Sequence, residues 1–145
     1  MLHSALRKKI ARNIASPPEK FGRLSRDDCY LILKKRLDAD KAILVLGADY
    51  YFPIEKEDVS RFLKADLTDQ IPYSKSYICR NFSIRLLGDF QIPGWNEFAV
   101  FAVWGSGHAF NCFIDHRENV WFIEPQTDEI FAPSKKYQPI GLIFG

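Results

Sequence analysis

The stretch EFAVFAVWGSGHAFNCFIDHRENVWFIE, residues 97–124, decides how the second half of this chain folds. It holds three runs rich in apolar, β-branched and aromatic residues, at 97–104, 107–115 and 119–124. Short breaks with glycine or charged residues separate these runs, which is typical of consecutive antiparallel strands. Shorter runs at 128–131 and 140–144 predict two further strands. We therefore expect an antiparallel sheet in the C-terminal half.

Outward from this stretch, toward the N-terminus, the pattern changes from strands to helices. Ser25 is a good N-cap and Gly88 a good helix stop. The helical periodicity predicts helices at 4–14, 26–37, 54–65 and 79–88. The run at 42–46 predicts one buried strand among them. Helices followed by an antiparallel sheet predict the α+β class.

Length and composition narrow the class of protein further. A chain of 145 residues with 47% hydrophobic residues fits a folded domain. It has no apolar run long enough for a membrane span, and its first residues show no secretory signal, which predicts a cytoplasmic location. The three cysteines are too few for a disulfide framework and agree with a reducing compartment.

The charges divide the chain near residue 41. Residues 1–41 carry eleven Lys and Arg against five acids, whereas residues 42–145 carry nine against thirteen. We expect a basic helical N-terminal extension at 1–40 and a separate domain at 41–145. The extension either binds an acidic partner or is a pair of solvated helices on an acidic body.

Cys79, His108 and Glu124 form the candidate catalytic group. Cys79 opens the predicted helix 79–88, where unpaired N–H groups and the helix dipole favour a thiolate. His108 opens a strand directly after the glycine-containing turn, and it supplies the imidazole that a thiol nucleophile needs. Glu124 ends the next strand and is placed to orient that imidazole.

Strand alternation tests whether His108 and Glu124 can meet. In a hairpin with a three-residue loop, cross-strand residues that share a face have residue numbers whose sum is even. In one register His108 lies directly opposite Glu124, and in the other it lies opposite Gln126 with Glu124 as its diagonal neighbour. Both registers leave a three-residue loop and keep the carboxylate on the same face as the ring. Each residue alone also has a structural interpretation, as a buried thiol, a core histidine and a rim carboxylate.

These residues also carry a resemblance to a known family. The pieces CRNFS at 79–83, GHAFN at 107–111 and WFIEPQT at 121–127 resemble the transglutaminase-core pattern. The chain is similar to phage and bacterial proteins related to the C-terminal protease domain of Marasmius oreades agglutinin, a papain-like cysteine domain. The resemblance runs from about Asp49 to Phe131. One departure is that Arg80-Asn81 follows the cysteine, where the group often has two acids.

The resemblance implies a papain-like, transglutaminase-like domain with Cys79 as nucleophile, His108 as base and Glu124 as orienting acid. It implies a cysteine-dependent hydrolase, as peptidase or amidase, or an acyl transferase acting on a protein or peptide. The alternative is a catalytically inactive papain-like interaction module, of phage or bacterial origin, that binds a host protein. The expected auxiliary residues around the triad are Asn81, Gly107, Gln126 and Trp104.

Metal binding is the remaining alternative. Cys112 and His116 with Cys79 and His108 do not have the ligand spacing of a zinc finger or ribbon. We therefore expect no required cofactor. Calcium is left open, because several carboxylates are available without an EF-hand spacing: Asp66, Asp69, Glu124 and Asp128.

Overall fold

The computed structural model describes residues 16–145. Its α-helices are α1 (Arg26–Arg36), α2 (Lys56–Ala65) and α3 (Cys79–Asp89). Its strands are β1 (Leu24–Ser25), β2 (Ile43–Val45), β3 (Tyr50–Tyr51), β4 (Val100–Gly105), β5 (His108–Ile114), β6 (Val120–Glu124), β7 (Glu129–Phe131) and β8 (Leu142–Phe144). Two short 3-10 turns, Thr68–Gln70 and Lys135–Tyr137, complete the described elements.

Six of these strands form one sheet in the order β2-β8-β4-β5-β6-β7. Strands β4 to β7 pair antiparallel, as consecutive strands joined by tight turns do. The prediction of a purely antiparallel C-terminal sheet is wrong, because β2 pairs parallel with β8 and makes the sheet mixed. The partners Ile43 and Leu142 lie far apart in the chain, so no local turn signal could reveal this pairing.

Helix α1 covers one face of the sheet. Ser25 caps it: the Ser25 hydroxyl accepts from the Asp28 N–H at 3.0 Å, and the Asp28 carboxylate accepts from the Ser25 N–H at 2.9 Å. Cys29 and Leu33 are fully buried in one apolar cluster with Phe110 and Ile143 of the sheet. The domain boundary at residue 40 stays a prediction. In the structure, α1 packs against the sheet and its apolar side chains form part of the hydrophobic core.

Helices α2 and α3 cover the opposite face. Phe62 of α2 and Phe90, just after α3, stack with ring centroids 3.7 Å apart, and both contact Trp95. This second cluster includes Phe113 of β5 and Ile123 of β6. Alternating residues of the same strands therefore pack on different helices, which is why β5 is apolar along nearly its whole length.

Most predicted elements are confirmed to within a few residues. The helices predicted at 26–37 and 79–88 are observed as Arg26–Arg36 and Cys79–Asp89. The helix predicted at 54–65 begins later, at Lys56, because Glu55 is its N-cap in extended conformation. The helix predicted at 4–14 lies outside the described residues. Within residues 16–145 no helix is both long and apolar enough to cross a membrane.

Candidate functional site

The β4–β5 hairpin places His108 at the open end of the sheet. Gly105 pairs with His108, so only Ser106 and Gly107 form the turn. Gly107 has φ +71°, a conformation that glycine adopts without strain, and an added Cβ there would meet nothing within 4 Å. The turn beside His108 is thus open to solvent.

His108 and Glu124 are joined by a direct hydrogen bond. His108 Nε2 and Glu124 Oε2 lie 2.6 Å apart, and the two side chains are 18% and 16% exposed. Asn111 pairs with Ile123, so the observed register is the one in which Glu124 is the diagonal neighbour of His108. The loop is closed by Asp115 N–H donating to Asn119 O at 2.9 Å. Strand alternation, together with the expected three-residue loop, thus predicted that these two side chains share a face.

The segment around Tyr137 forms a wall of this site that sequence reasoning missed. The Tyr137 ring centroid lies 4.9 Å from that of His108, and the Ser106 N–H donates to Tyr137 O at 2.9 Å. A Cβ on Gly105 would lie 2.2 Å from Tyr137 O, so this close approach requires glycine. Nothing local in the sequence signals it, since the two segments are more than thirty residues apart.

Cys79 begins helix α3, as predicted. Its N-cap is Ile78, whose N–H donates to Asn81 Oδ1 at 3.1 Å. Cys79 is half-buried, whereas Cys29 and Cys112 are completely buried. Burial raises the pKa of Cys29 to about 12 and also raises the pKa of Cys112. Among the cysteines, Cys79 is therefore the thiol that reagents in solution can reach.

Helix α3 and strand β5 are tied together near their starts. Buried Asn111 Nδ2 donates to Ser83 O at 3.0 Å, one turn into α3 and three residues into β5. Strand alternation directs Asn111 toward α3 and His108 toward the opposite face. In residues 16–145 the structure joins His108 to Glu124, and no hydrogen bond links Cys79 to either of them.

The expected auxiliary residues have separate roles. The Gln126 N–H donates to Glu124 Oε1 at 3.2 Å, so the backbone rather than the Gln126 side chain steadies the carboxylate. Asn81 caps α3. Trp104 packs edge-on against Phe144 at 5.5 Å, and it neighbours Gly105, so it faces away from His108. Gly107 shapes the turn.

A cavity of about 330 Å³ opens beside Glu124. Its walls combine hydroxyl, carboxylate, ammonium and aromatic groups: Glu124, Thr127, Glu129, Phe131, Ser134, Lys136 and Tyr137. The Lys136 ammonium lies 5.5 Å from the Tyr137 ring centroid. Glu124 is therefore shared between the histidine and a polar cavity, which the sequence pattern did not indicate.

A second histidine–carboxylate pair lies at the far end of β5. His116 Nδ1 and Glu55 Oε1 are 2.6 Å apart, and the His116 N–H donates to the same oxygen at 3.2 Å. The Phe21 ring stacks on His116 at 4.0 Å. His116 is thus occupied by Glu55, and Cys112 is fully buried, so the structure brings neither to Cys79 and His108 as a zinc site would need.

The carboxylates considered for calcium are divided between different neighbours. Burial, with the neighbouring Asp89, raises the pKa of Asp66 to about 8. Burial, with the nearby Asp69 charge, raises the pKa of Asp128 to about 7. Glu124 is bound to His108. In the described part of the chain no group of three or more His, Cys, Asp or Glu side chains has a metal-binding arrangement.

Comparisons with known proteins place this fold beside a fungal lectin. Neither a family model nor a curated protein matches the chain. The solved structure titled "PSL1a-E64 complex" matches with a TM-score of 0.75 and 18% identity, over 85% of this chain and 51% of that one. Polyporus squamosus lectin bound to the human-type influenza-binding epitope Neu5Acα2-6Galβ1-4GlcNAc matches with a TM-score of 0.72 and 16% identity, over 85% and 49%.

These matches define the fold, and the chain spans about half the length of the structures it matches. They correct the predicted family and fold class: the chain shares its fold with about half of each of these structures, neither of which is named as a papain-like or transglutaminase-like protein, and no family model supports that assignment. Three further predictions are corrected by the same matches: the hydrolase or acyl transferase, the alternative phage or bacterial module that binds a host protein, and the protein, peptide or acidic partner. The resemblance was misleading because it rested on three short motifs and not on the rest of the domain around them.

Proposed function

We propose that Cys79, His108 and Glu124 form a reactive-thiol site that captures electrophilic ligands. The observation that carries this proposal is the 2.6 Å bond between His108 Nε2 and Glu124 Oε2, which leaves the other ring nitrogen, Nδ1, to receive a proton. Cys79 supports it as the half-buried thiol at a helix N-terminus. A matched structure titled as a complex with E64 supports the ligand class, since E64 carries an epoxide.

The chemistry needs one proton and one bond exchange. His108 Nδ1 takes the Cys79 proton, and the thiolate attacks an epoxide carbon. A sulfur–carbon bond forms while the ring carbon–oxygen bond breaks, and the resulting alkoxide takes the proton back from the imidazolium. Glu124 holds the ring and stabilises its charged form. The step requires the His108 ring to swing past the start of β5 toward Cys79, because strand alternation turns the ring away from α3 and no Cys79–His108 hydrogen bond is present.

The test is the rate at which E64 adds to the intact chain, followed by mass spectrometry with peptide mapping. We expect one adduct, on Cys79, and a rate about a hundredfold lower in His108→Ala. The matched control is His116→Ala, which removes the other paired histidine and should leave the rate within about twofold.

Two results would contradict the proposal. One is labelling of Cys29 or Cys112 as fast as Cys79 in folded protein. The other is equal loss of rate in His108→Ala and His116→Ala, because His116 is held by Glu55 at the other end of β5.

A second function, glycan binding, is favoured by the cavity beside Glu124. Its aromatic wall suits the apolar face of a sugar ring, and its hydroxyl and charged groups suit the polar edge. The likeness to a lectin whose structure holds a sialylated glycan supports this ligand class. Lys136 is the cation that lines the cavity and could pair with a sialic acid carboxylate.

Calorimetric titration with Neu5Acα2-6Galβ1-4GlcNAc tests the second function. We expect Lys136→Ala to weaken binding about tenfold. Lys135→Ala is the matched control, because Lys135 is exposed and does not line this cavity. Absence of binding at millimolar glycan would remove glycan recognition while leaving the thiol proposal standing.

Two expectations from the sequence continue as proposals. A cytoplasmic location is proposed because all three cysteines are free. The thiol site is proposed to work without a cofactor, and calcium can be tested by repeating the E64 rate with and without a chelator.

A further inference from the structure

The His108 ring belongs to a group of three packed rings. The His108 and Tyr137 ring centroids are 4.9 Å apart with 32° between the planes, and the His108 and Phe110 centroids are 5.8 Å apart with 18° between the planes. The Tyr137 and Phe110 centroids are 5.1 Å apart. Phe110 is fully buried, whereas Tyr137 is half-buried and also lines the cavity beside Glu124. Tyr137 is therefore the ring that a substitution can remove with the smaller disturbance of the core.

The main chain fixes the Tyr137 ring in this place. The Ser106 N–H donates to Tyr137 O at 2.9 Å, which joins Tyr137 to the turn before His108. On the other side, Gln138 Nε2 donates to Leu37 O at 2.6 Å, just after the end of α1. The Tyr137 hydroxyl makes no hydrogen bond to the rest of the described chain. The aromatic ring, rather than the hydroxyl, is thus what this residue brings to His108.

An aromatic ring beside an imidazole stabilises the charged form of that imidazole. A cation within about 6 Å of an aromatic ring centroid is attracted by the negative face of the ring. The His108 ring lies within this distance of both Tyr137 and Phe110. Glu124 stabilises the same positive charge through its hydrogen bond to Nε2. The rings and the carboxylate therefore act on one imidazole together.

Other charged groups reach the His108–Glu124 pair from two elements. Strand β7 supplies Glu129, which pairs with Glu124 across the ladder. The second 3-10 turn supplies the Tyr137 phenol and the Lys136 ammonium, which lies 5.5 Å from the Tyr137 ring centroid. Glu129 and Lys136 are exposed and opposite in charge, so solvent screens them and their effects on the imidazole oppose each other. Glu124 and the Tyr137 ring are therefore the stronger influences on the charged imidazole.

We propose that Tyr137 is a positioning residue of the thiol site, whose ring stabilises the charged form of His108 while Glu124 holds it. This inference rests on the thiol site proposed above. The contact acts on the His108 ring where the structure shows it, bound to Glu124, once the ring has taken the Cys79 proton and returned there. Removing the Tyr137 ring makes the imidazolium less stable, and the Cys79 thiolate that depends on it then forms only at higher pH.

Iodoacetamide labelling of Cys79 against pH, with mass-spectrometric mapping of the intact chain, measures this effect. In Tyr137→Leu the profile should move to higher pH by about 0.5 pH unit, because one cation–aromatic contact is lost. Tyr137→Met is a second variant without the ring and should give the same shift. Tyr137→Phe keeps the ring and should stay within about 0.2 pH unit of wild type.

Phe21→Leu is the matched control, because it removes the ring that stacks on His116 at 4.0 Å and leaves Tyr137 in place. Its Cys79 profile should coincide with that of wild type. Thermal melting reports whether each variant is folded. The quantity compared is the pH of half-maximal labelling rate, which a loss of stability alone does not move.

The outcomes separate this inference from the thiol site on which it rests. Labelling of Cys79 no faster than that of Cys29 and Cys112 in wild type would overturn the thiol site, and the role of Tyr137 with it. Fast labelling of Cys79 with one and the same profile in wild type, Tyr137→Leu and Tyr137→Met would overturn the role of Tyr137 alone. An equal shift in Tyr137→Phe, or in Phe21→Leu, would overturn it as well.

Discussion

Two histidine–carboxylate pairs with nearly the same hydrogen-bond length lie at the two ends of β5. His108 bonds Glu124 through Nε2, and His116 bonds Glu55 through Nδ1, each at 2.6 Å. The first pair joins neighbouring strands, whereas the second joins the β5–β6 loop to residue 55, just before α2. Only the first lies beside an open turn and a polar cavity.

The difference shows that a short histidine–carboxylate contact does not by itself define a site. Glu55 also accepts the His116 backbone N–H, the Phe21 ring covers the imidazole, and His116 Nε2 is buried without a hydrogen-bond partner. The contacts of His116 with Phe21 and Glu55 therefore hold the segment before α1 against the rest of the domain. In the thiol site proposed above, the second ring nitrogen of His108 is the one that takes the Cys79 proton, and the predictions below bear on this contrast.

Removing α1 should have the largest effect on stability. Because the core then no longer folds, both histidine–carboxylate pairs are lost together. A chain that begins at Asp40 lacks Cys29, Leu33 and Leu37, each at most 1% exposed in the native core. Burying one such aliphatic side chain contributes about 1.5–3 kcal/mol, and whole domains are stable by only about 5–15 kcal/mol. We expect no cooperative melting by calorimetry.

The matched control is a chain that begins at Leu24, which loses Phe21 but keeps α1. It should melt cooperatively at a lower temperature. A cooperative transition in the chain that begins at Asp40 would show that residues 41–145 fold alone, as the charge division at residue 41 suggested.

The buried carboxyl group of Asp66, which lies near Asp89 rather than near a histidine, should make stability depend on pH. Burial and Asp89 raise the pKa of Asp66 to about 8, so the native state holds a proton that the unfolded state has lost above about pH 4. The contribution of Asp66 to stability is therefore complete below pH 4 and is lost as the pH rises toward 8. Asp66→Asn should make the dependence of unfolding free energy on pH between 4 and 8 shallower, by up to about 1 kcal/mol per pH unit.

Urea unfolding at a series of pH values measures this slope. Asp40→Asn is the control, since Asp40 is exposed and its removal should leave the slope unchanged. An identical slope in wild type and Asp66→Asn would show that Asp66 is ionised in the folded protein.

Phe21→Ala should have the smallest effect and should affect only the His116 pair. Loss of the stacked ring removes about 0.5–1.5 kcal/mol from the free energy of unfolding. The E64 rate at Cys79 should not change. A slower rate in Phe21→Ala would mean that the two pairs are coupled through β5 and would weaken the distinction between them.

Local patterns predicted much of this arrangement. The Ser25 cap, the helix start at Cys79 and the alternation that places His108 and Glu124 on one face all depend on residues close in the chain. The sum of the residue numbers of His108 and Glu124 limited the β5–β6 hairpin to two registers. The structure has the register that pairs Asn111 with Ile123.

Contacts between distant segments could not be predicted in the same way. The parallel pairing of β2 with β8, the approach of Tyr137 to Gly105, and the bond from Glu55 to His116 depend on how separate elements pack. The family resemblance failed for a related reason. Short motifs around a cysteine, a histidine and a glutamate describe side-chain chemistry, which unrelated chains can share.

The most direct test of the central claim is the alkylation rate of Cys79 against pH in wild type, Glu124→Gln and Glu55→Gln. Iodoacetamide labelling with mass-spectrometric mapping reports the rate for each cysteine. If Glu124 steadies the charged imidazole that favours the thiolate, the profile of Glu124→Gln moves to higher pH with little change in melting temperature, while Glu55→Gln keeps the wild-type profile and melts earlier. A Glu124→Gln profile that coincides with wild type would contradict the account and reduce the His108–Glu124 bond to a structural contact like its counterpart at His116.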